Sequence, residues 1–151
     1  QLSEIFSTIL LSFDFPNLYE AYIDTKSYLP HVRGRKYSDL GSLGAVTLIT
    51  MAYYLSIMIC SEVKTGNHLG LLMIDTPRKN LGASSTSTEF RDEKIYESII
   101  NYFLQLGKEC KNDFQLIIVN NGYPSDFSPD YIVKEFSSDG HDGLIDDYDR
   151  V

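Results

Sequence analysis

The sequence is poor in cysteine and lacks the cysteine and histidine spacings that hold a metal ion. Its two cysteines, Cys60 and Cys110, are far apart, and neither belongs to a CxxC pattern. Two cysteines do not make a disulfide framework, so the plain interpretation is a pair of buried, reduced thiols in a cytoplasmic protein. The three histidines share no metal-ligand spacing with them, which argues against a zinc site.

Positive charge is also scarce. Thirteen Lys and Arg residues stand against 21 Asp and Glu residues, which gives a net charge of −8. Such a surface repels phosphate backbones, so nucleic-acid binding by this chain alone needs a local basic patch. The best one, residues 31–36 (His-Val-Arg-Gly-Arg-Lys), is short. The length of 151 residues and the 43% hydrophobic content are typical of a soluble protein, and we expect residues 1–151 to form a single domain.

A basic leader segment is missing, and only one apolar run is long. The chain begins with Gln1 rather than Met, so we expect it to be part of a longer protein. Residues 44–60 carry no charge, yet they reach only the lower limit of about 17–25 residues for a membrane span. A helix that is apolar on most sides also suits the centre of an α/β protein, and we expect no membrane insertion.

The most informative segment is residues 69–77, Leu-Gly-Leu-Leu-Met-Ile-Asp-Thr-Pro. A short continuous apolar run predicts a strand that is buried on both faces, as in a parallel sheet. Pro77 ends this strand because it cannot donate to the ladder. Asp75 then lies at the carboxyl end of the strand, where open α/β sheets bind ligands. The pattern alone also fits an aspartate that caps a turn after a core strand.

Hydrophobic periodicity predicts alternating helices and strands along the chain. Helices are predicted before Pro16, over residues 44–60 and from Asp92 onward, and strands over residues 21–23, 28–32, 69–74, 114–119 and, as an edge strand, 131–136. A serial helix–strand order favours parallel pairing through crossover helices. We therefore expect an α/β fold with a mostly parallel sheet flanked by helices.

Several short motifs follow one another in a recognisable order. They are residues 42–44 (Ser-Leu-Gly) at the start of the long helix, 75–77 (Asp-Thr-Pro), 79–82 (Lys-Asn-Leu-Gly) and Asn121 after the last buried strand. This order resembles the C-terminal lobe of an ABC-type, SMC-like ATPase head, in which a signature, a Walker B motif, a D-loop and a switch residue follow in turn. Segments 68–82, 89–93, 115–121 and 143–147 more closely resemble a group of bacterial SMC-like coiled-coil ATPases. The resemblance covers roughly residues 20–147.

The resemblance implies a P-loop NTPase-like half-domain that uses ATP and Mg²⁺. Asp75 would hold the Mg²⁺ ion, directly or through water. Because a helix N-terminus suits an anion, Ser42 and Gly44 would contact the γ-phosphate held by a second head. The remaining implied site residues are Lys79 and Asn80 in the D-loop and Asn121 at the position of the switch histidine.

Each of these residues has a plain structural alternative. Ser42 is also a good helix N-cap. Asn121 belongs to an Asn-Asn-Gly sequence that is typical of an ordinary turn. Arg78 and Lys79 either meet phosphate or the opposing D-loop, or they are simply solvated.

Thr76 stands where most ABC-type heads carry a glutamate that acts as general base. A threonine hydroxyl does not accept a proton at neutral pH. Hydrolysis is therefore slow, or a carboxylate such as Glu89 or Asp92 replaces the missing base.

The sequence contains no GxxxxGKS or GxxxxGKT phosphate loop and no long heptad run. The resemblance implies that both belong to the rest of the full-length protein, as an N-terminal Walker A lobe and a coiled coil. This chain alone would then be inactive. Two hypotheses follow: an ATPase head lobe that engages a second head as a homodimer and acts on DNA, or a non-catalytic dimerisation module with a degenerate ATPase fold.

Overall fold

The computed structural model describes residues 1–63, 67–78, 80–81, 93–109, 114–124 and 127–136. The chain divides into two compact units, Gln1–Asn121 and Gly122–Val151. The first unit contains helix α1 (Leu2–Ser12), strands β1 (Tyr22–Ile23), β2 (Pro30–Val32) and β3 (Arg35–Lys36), helix α2 (Leu43–Val63), strand β4 (Leu71–Asp75), helix α3 (Glu93–Glu109) and strand β5 (Gln115–Val119). The expectation of a single domain stays a prediction.

The core of the first unit is formed by the apolar faces of its three helices. Helix α1 packs on α2 and also contacts α3. Phe13, fully buried just after α1, meets the rings of Tyr102 and Phe103 edge-on, with centroids 5.6 and 6.1 Å away. The other residues with almost no exposure include Phe6, Ile9, Leu10, Leu48, Ile49, Leu55, Met58 and Ile99. The predicted helices are confirmed. Helices α1 and α3 each bury one apolar stripe, whereas α2, which is apolar on most sides, buries half of its most apolar stretch.

Helix α2 is the one helix in the described part of the chain that is long and apolar enough to cross a membrane. Half of its most apolar stretch is buried inside the protein. A core helix and a membrane-spanning helix can have the same length and composition, so this observation does not distinguish between them. The absence of membrane insertion stays a prediction.

Strands β1, β2 and β3 form an antiparallel sheet whose inner face packs on α1. The sequence predicted β1 and β2 but missed β3, which is too short and polar to show a pattern. The turn between β2 and β3 consists of Arg33 and Gly34, with φ of 57° and 67°. Two residues with positive φ define a type I′ hairpin turn, and glycine adopts this conformation without a Cβ penalty.

Substituting Gly34 by alanine tests this turn. An added Cβ would meet only the flexible carboxylate tip of Glu20, so the cost comes from the backbone, and we expect Gly34→Ala to lower the free energy of unfolding by about 1 kcal/mol. Gly107→Ala is the matched control, since Gly107 lies inside α3 with open space around it, and there we expect a gain of about 0.5–1 kcal/mol. Denaturant unfolding measures both. A loss at Gly107 together with no loss at Gly34 would contradict the assignment.

Strands β4 and β5 pair in parallel, in the register Leu71 with Gln115 through Asp75 with Val119. This confirms the parallel pairing that the helix–strand order predicted. Within the described residues the parallel sheet has two strands and the antiparallel sheet three. The wider expectation of a mostly parallel, P-loop NTPase-like sheet stays a prediction.

One predicted element lies in the second unit and differs from the structure. The predicted edge strand over residues 131–136 is wrong: the chain there forms a short 3₁₀ turn, Pro129–Tyr131, followed by irregular backbone. Ser128 caps this turn, with its hydroxyl accepting a hydrogen bond from the Asp130 N–H at 3.4 Å. Val133 is almost fully exposed, and among the described residues no strand pairs with this segment to hold it as a strand.

Candidate functional site

The carboxyl end of β4 carries an exposed acid, Asp75, at the last position of the strand. The backbone N–H of Thr76 donates to the carbonyl of Val119 at 2.7 Å and so continues the parallel ladder by one bond. The Thr76 hydroxyl donates to Asp75 Oδ1 at 2.7 Å. This hydrogen bond restricts the rotation of the Asp75 carboxylate, so Thr76 acts on its neighbour instead of facing a substrate as a base.

Thr76 has a strained backbone. Its φ is 53°, which is the left-handed region, and a β-branched residue there is a genuine outlier. The cost is about 1–2 kcal/mol, and residues held in this way cluster at functional sites. Pro77, which follows, is fully buried and anchors the turn from the other side.

Asn120 and Asn121 follow β5 at the same edge of the sheet. Because the register pairs Asp75 with Val119, Asn121 comes two residues beyond the partner of Asp75. Asn121 is exposed. The Asn120 side-chain amide instead donates to the hydroxyl of Tyr96 on α3, which fixes the first residue after the strand.

Arg78 joins this edge to helix α3. Its guanidinium pairs with the Glu93 carboxylate at 2.8 Å and lies over the Tyr96 ring, 5.2 Å from the centroid. The sequence left open whether Arg78 meets a phosphate, meets the opposing D-loop or is solvated. In the structure its guanidinium contacts Glu93 and Tyr96 of the same chain. Burial raises the pKa of the Tyr96 phenol above its usual value, although Arg78 and the Asn120 hydrogen bond act in the opposite direction.

The start of α2 is tied to the loop after β4. The Asn80 amide donates to the Thr47 hydroxyl at 3.2 Å, and that hydroxyl donates to the Leu43 carbonyl at 2.9 Å. Asn80 has a φ of 67°, a conformation that asparagine tolerates. Ser42 precedes the helix, and its hydroxyl accepts a long, 3.4 Å hydrogen bond from the Ala45 N–H. Gly44 is buried in the first turn.

The structure therefore connects the predicted site residues in two groups. Asp75, Thr76 and Asn121 share the carboxyl edge of the parallel strands. Ser42 and Gly44 share the first turn of α2, and Asn80 bridges to that turn through Thr47. Lys79 and the substitute bases Glu89 and Asp92 lie outside the described residues.

A magnesium ion fits this edge only with help from a ligand. The described residues contain no group of three or more His, Cys, Asp or Glu side chains that could hold a metal. Mg²⁺, however, is usually bound by one or two carboxylates together with phosphate oxygens and water. One exposed carboxylate, Asp75, held by the Thr76 hydroxyl, fits an ion that a nucleotide brings with it.

Sequence reasoning missed the residues that hold the edge together, namely Tyr96, Glu93, Asn120 and Thr47. Tyr96 is 1% exposed, and the only signal for it was its place next to Ile95 on the apolar face of a predicted helix. Its hydroxyl partner lies 24 residues away in the chain, beyond the range of any local pattern.

One face of the β4–β5 sheet is exposed and apolar. Leu71, Met73 and Val119 project from this face and are all exposed, whereas Ile74 on the other face is buried and β4 contacts α2. The sequence predicted a strand buried on both faces, as in most parallel sheets, and for β4 this prediction is wrong, because Leu71 and Met73 on one face are exposed. This surface, which we call the open face, is therefore suited to another stretch of polypeptide.

Comparison with known proteins gives no family for this chain: no protein-family model matches it, and no curated protein matches its sequence. The order of the motifs and the geometry of this edge are therefore the basis for a function.

Proposed function

We propose that the chain is the C-terminal lobe of an SMC-like ATPase head, which contributes the signature, Walker B, D-loop and switch elements to ATP-driven engagement of two heads. The observation that carries the proposal is the parallel register of β4 and β5, with Asp75 and Asn121 following neighbouring strands at one edge. Ligands of open α/β sheets bind at this edge. The open face supports the same view, because an N-terminal lobe carrying the phosphate loop would cover it.

In this function Asp75 holds the Mg²⁺ of the nucleotide, and the Thr76 hydroxyl keeps the carboxylate oriented. The ion, when bound, neutralises charge on the β- and γ-phosphates. Asn121 donates a hydrogen bond to the γ-phosphate or to the attacking water. Ser42 presents the N-terminus of α2 to the phosphate held by the partner head, whereas Gly44 is buried in this turn and has no direct contact with that phosphate. DNA is the partner of the full-length protein.

The test is Asp75→Asn in the head assembled from this chain and its N-terminal lobe. The substitution keeps the shape and removes the charge that Mg²⁺ needs, so we expect Mg²⁺-dependent ATP affinity to fall at least about tenfold. Calorimetric titration with ATP, with and without EDTA, measures this. Asp39→Asn, an exposed aspartate just after β3, is the control and should leave affinity unchanged. Equal affinity of Asp75→Asn and the unsubstituted head would refute the proposal.

A second candidate function is a non-catalytic dimerisation or interaction module with a degenerate ATPase fold. The observation in its favour is Thr76, whose hydroxyl is committed to Asp75 and supplies no base. This candidate predicts that the full-length protein binds its partners equally well with and without ATP. Nucleotide-dependent association of two heads would exclude it.

A further inference from the structure

The antiparallel sheet of β1, β2 and β3 has an outer face that the ATPase proposal does not use. On its inner face Ile23, Pro30 and Val32 are buried. On the outer face the register aligns Tyr22 with His31 and His31 with Lys36, so that one row crosses all three strands. We call these three residues the outer row. Tyr22 is 40% exposed and Lys36 is exposed as well.

The rings of Tyr22 and His31 form a flat stacked pair. Their centroids are 5.1 Å apart and the planes differ by 6°. His31 Nδ1 lies 3.3 Å from the Leu29 carbonyl, a contact that helps fix the ring in this orientation. A rigid pair of aromatic rings beside an ammonium group matches what single-stranded nucleic acid offers, namely base faces and phosphates.

The charge around the outer row is opposite to that of the chain. Residues 22–37 contain four Lys or Arg residues and one acid, a net charge of +3 in a chain of net charge −8. The single acid, Asp24, is occupied in the turn between β1 and β2, where its carboxylate accepts hydrogen bonds from the N–H and the hydroxyl of Ser27, both at 2.7 Å. Arg33 is held by carbonyls of Pro16 and Asn17. The exposed cations of this segment are Lys36 on the outer row, Lys26 in the turn between β1 and β2, and Arg35, whose register partner Val32 belongs to the inner face. A second carboxylate, that of Glu20, lies beside Gly34 at the turn between β2 and β3.

We propose that the outer row binds single-stranded DNA, with a base stacking on the Tyr22–His31 pair and a backbone phosphate meeting Lys36. Two strand spacings separate Tyr22 from Lys36, roughly 10 Å, which suits about two nucleotides. Unpaired bases are required because paired bases keep their faces inside the duplex. An RNA strand offers the same base faces and phosphates together with a 2′-hydroxyl, so an oligouridylate is the comparison ligand in the test. The site stands apart from Asp75 and needs no ATP, so it does not depend on the proposed ATPase function.

The test uses the whole chain without nucleotide and a fluorescein-labelled oligothymidylate of about 12 nucleotides, followed by fluorescence anisotropy. We expect Tyr22→Ala to weaken binding about tenfold, through loss of stacking. We expect Lys36→Glu to weaken it several-fold and to reduce the dependence on salt between about 50 and 200 mM. Tyr54→Ala and Lys108→Glu are the matched controls, because both residues are exposed on helices outside this sheet.

Loss of binding in the two outer-row variants, with unchanged binding in the controls, supports the proposal. Both outer-row residues are exposed, and an unchanged circular dichroism spectrum verifies that each variant is folded. Equal affinity in all four variants overturns the proposal. Tighter binding of an oligouridylate, of duplex DNA or of phosphatidylserine vesicles also overturns it, because each would mean that the face serves a different ligand.

Discussion

Met73→Lys is expected to weaken association of the chain with the N-terminal lobe by about a hundredfold or more. Met73 lies at the middle of the open face, between Leu71 and the Asp75 end of β4, with its partner Ile117 across the register. In the proposed head this face becomes part of a buried sheet, and burying an unpaired ammonium group there costs several kcal/mol. Sedimentation or calorimetric titration of the two lobes measures the loss. Because Met73 is 64% exposed in this chain, we expect the substitution to leave the stability of the isolated chain almost unchanged.

Leu11→Lys is the matched control for this experiment. Leu11 is 63% exposed, almost the same as Met73, but it lies in the last turn of α1, where a lysine is well tolerated. We expect this variant to bind the N-terminal lobe like the unsubstituted chain. If Met73→Lys also binds normally, the open face is not where the lobes meet, and the support that this face gives to the head-lobe proposal is lost.

Tyr96→Ala is expected to lower the free energy of unfolding by about 3–5 kcal/mol. Among the described residues Tyr96 has the most voluminous fully buried side chain, and it supports the Arg78 guanidinium and the Asn120 amide at the carboxyl edge of the parallel strands. Truncation removes the buried ring and the acceptor of the Asn120 hydrogen bond together. Tyr96→Phe keeps the ring, so it should cost only about 1 kcal/mol at neutral pH. Denaturant unfolding of both variants separates the two contributions.

The same residue predicts a loss of stability in alkali. Because the pKa of Tyr96 is raised in the folded state, its contribution is fully present below the unfolded value of about 10 and is lost as the pH rises above that value. Between pH about 9 and 11 the stability of Tyr96→Phe should therefore fall less steeply than that of the unsubstituted chain. Parallel slopes for Tyr96→Phe and the unsubstituted chain would contradict the burial of an intact phenol at this position.

Local patterns predicted the helices well and the strands only in part. Helix α3 follows from the spacing of Ile95, Ile99, Phe103 and Leu106, all of which are buried. The 131–136 segment is rich in residues that favour strands, yet Val133 and Phe136 are exposed and the segment is not a strand. A strand forms only where a second strand pairs with it, and that second strand lies outside the few residues that make the local pattern. For that reason β3 was missed and the edge strand over residues 131–136 was predicted wrongly.

The sequence by itself determined that an acid ends a short apolar strand, that a serine begins a long apolar helix, and that these parts come in a particular order. Those properties are local, since burial of one stripe or one strand is written in neighbouring residues. Only the tertiary structure decided that Val119 lies beside Asp75, that Tyr96 joins Arg78 to Asn120, and that Tyr22, His31 and Lys36 form one row. Strand register and side-chain partners join residues far apart in the chain, and they are fixed by packing of the whole unit, which no single segment encodes.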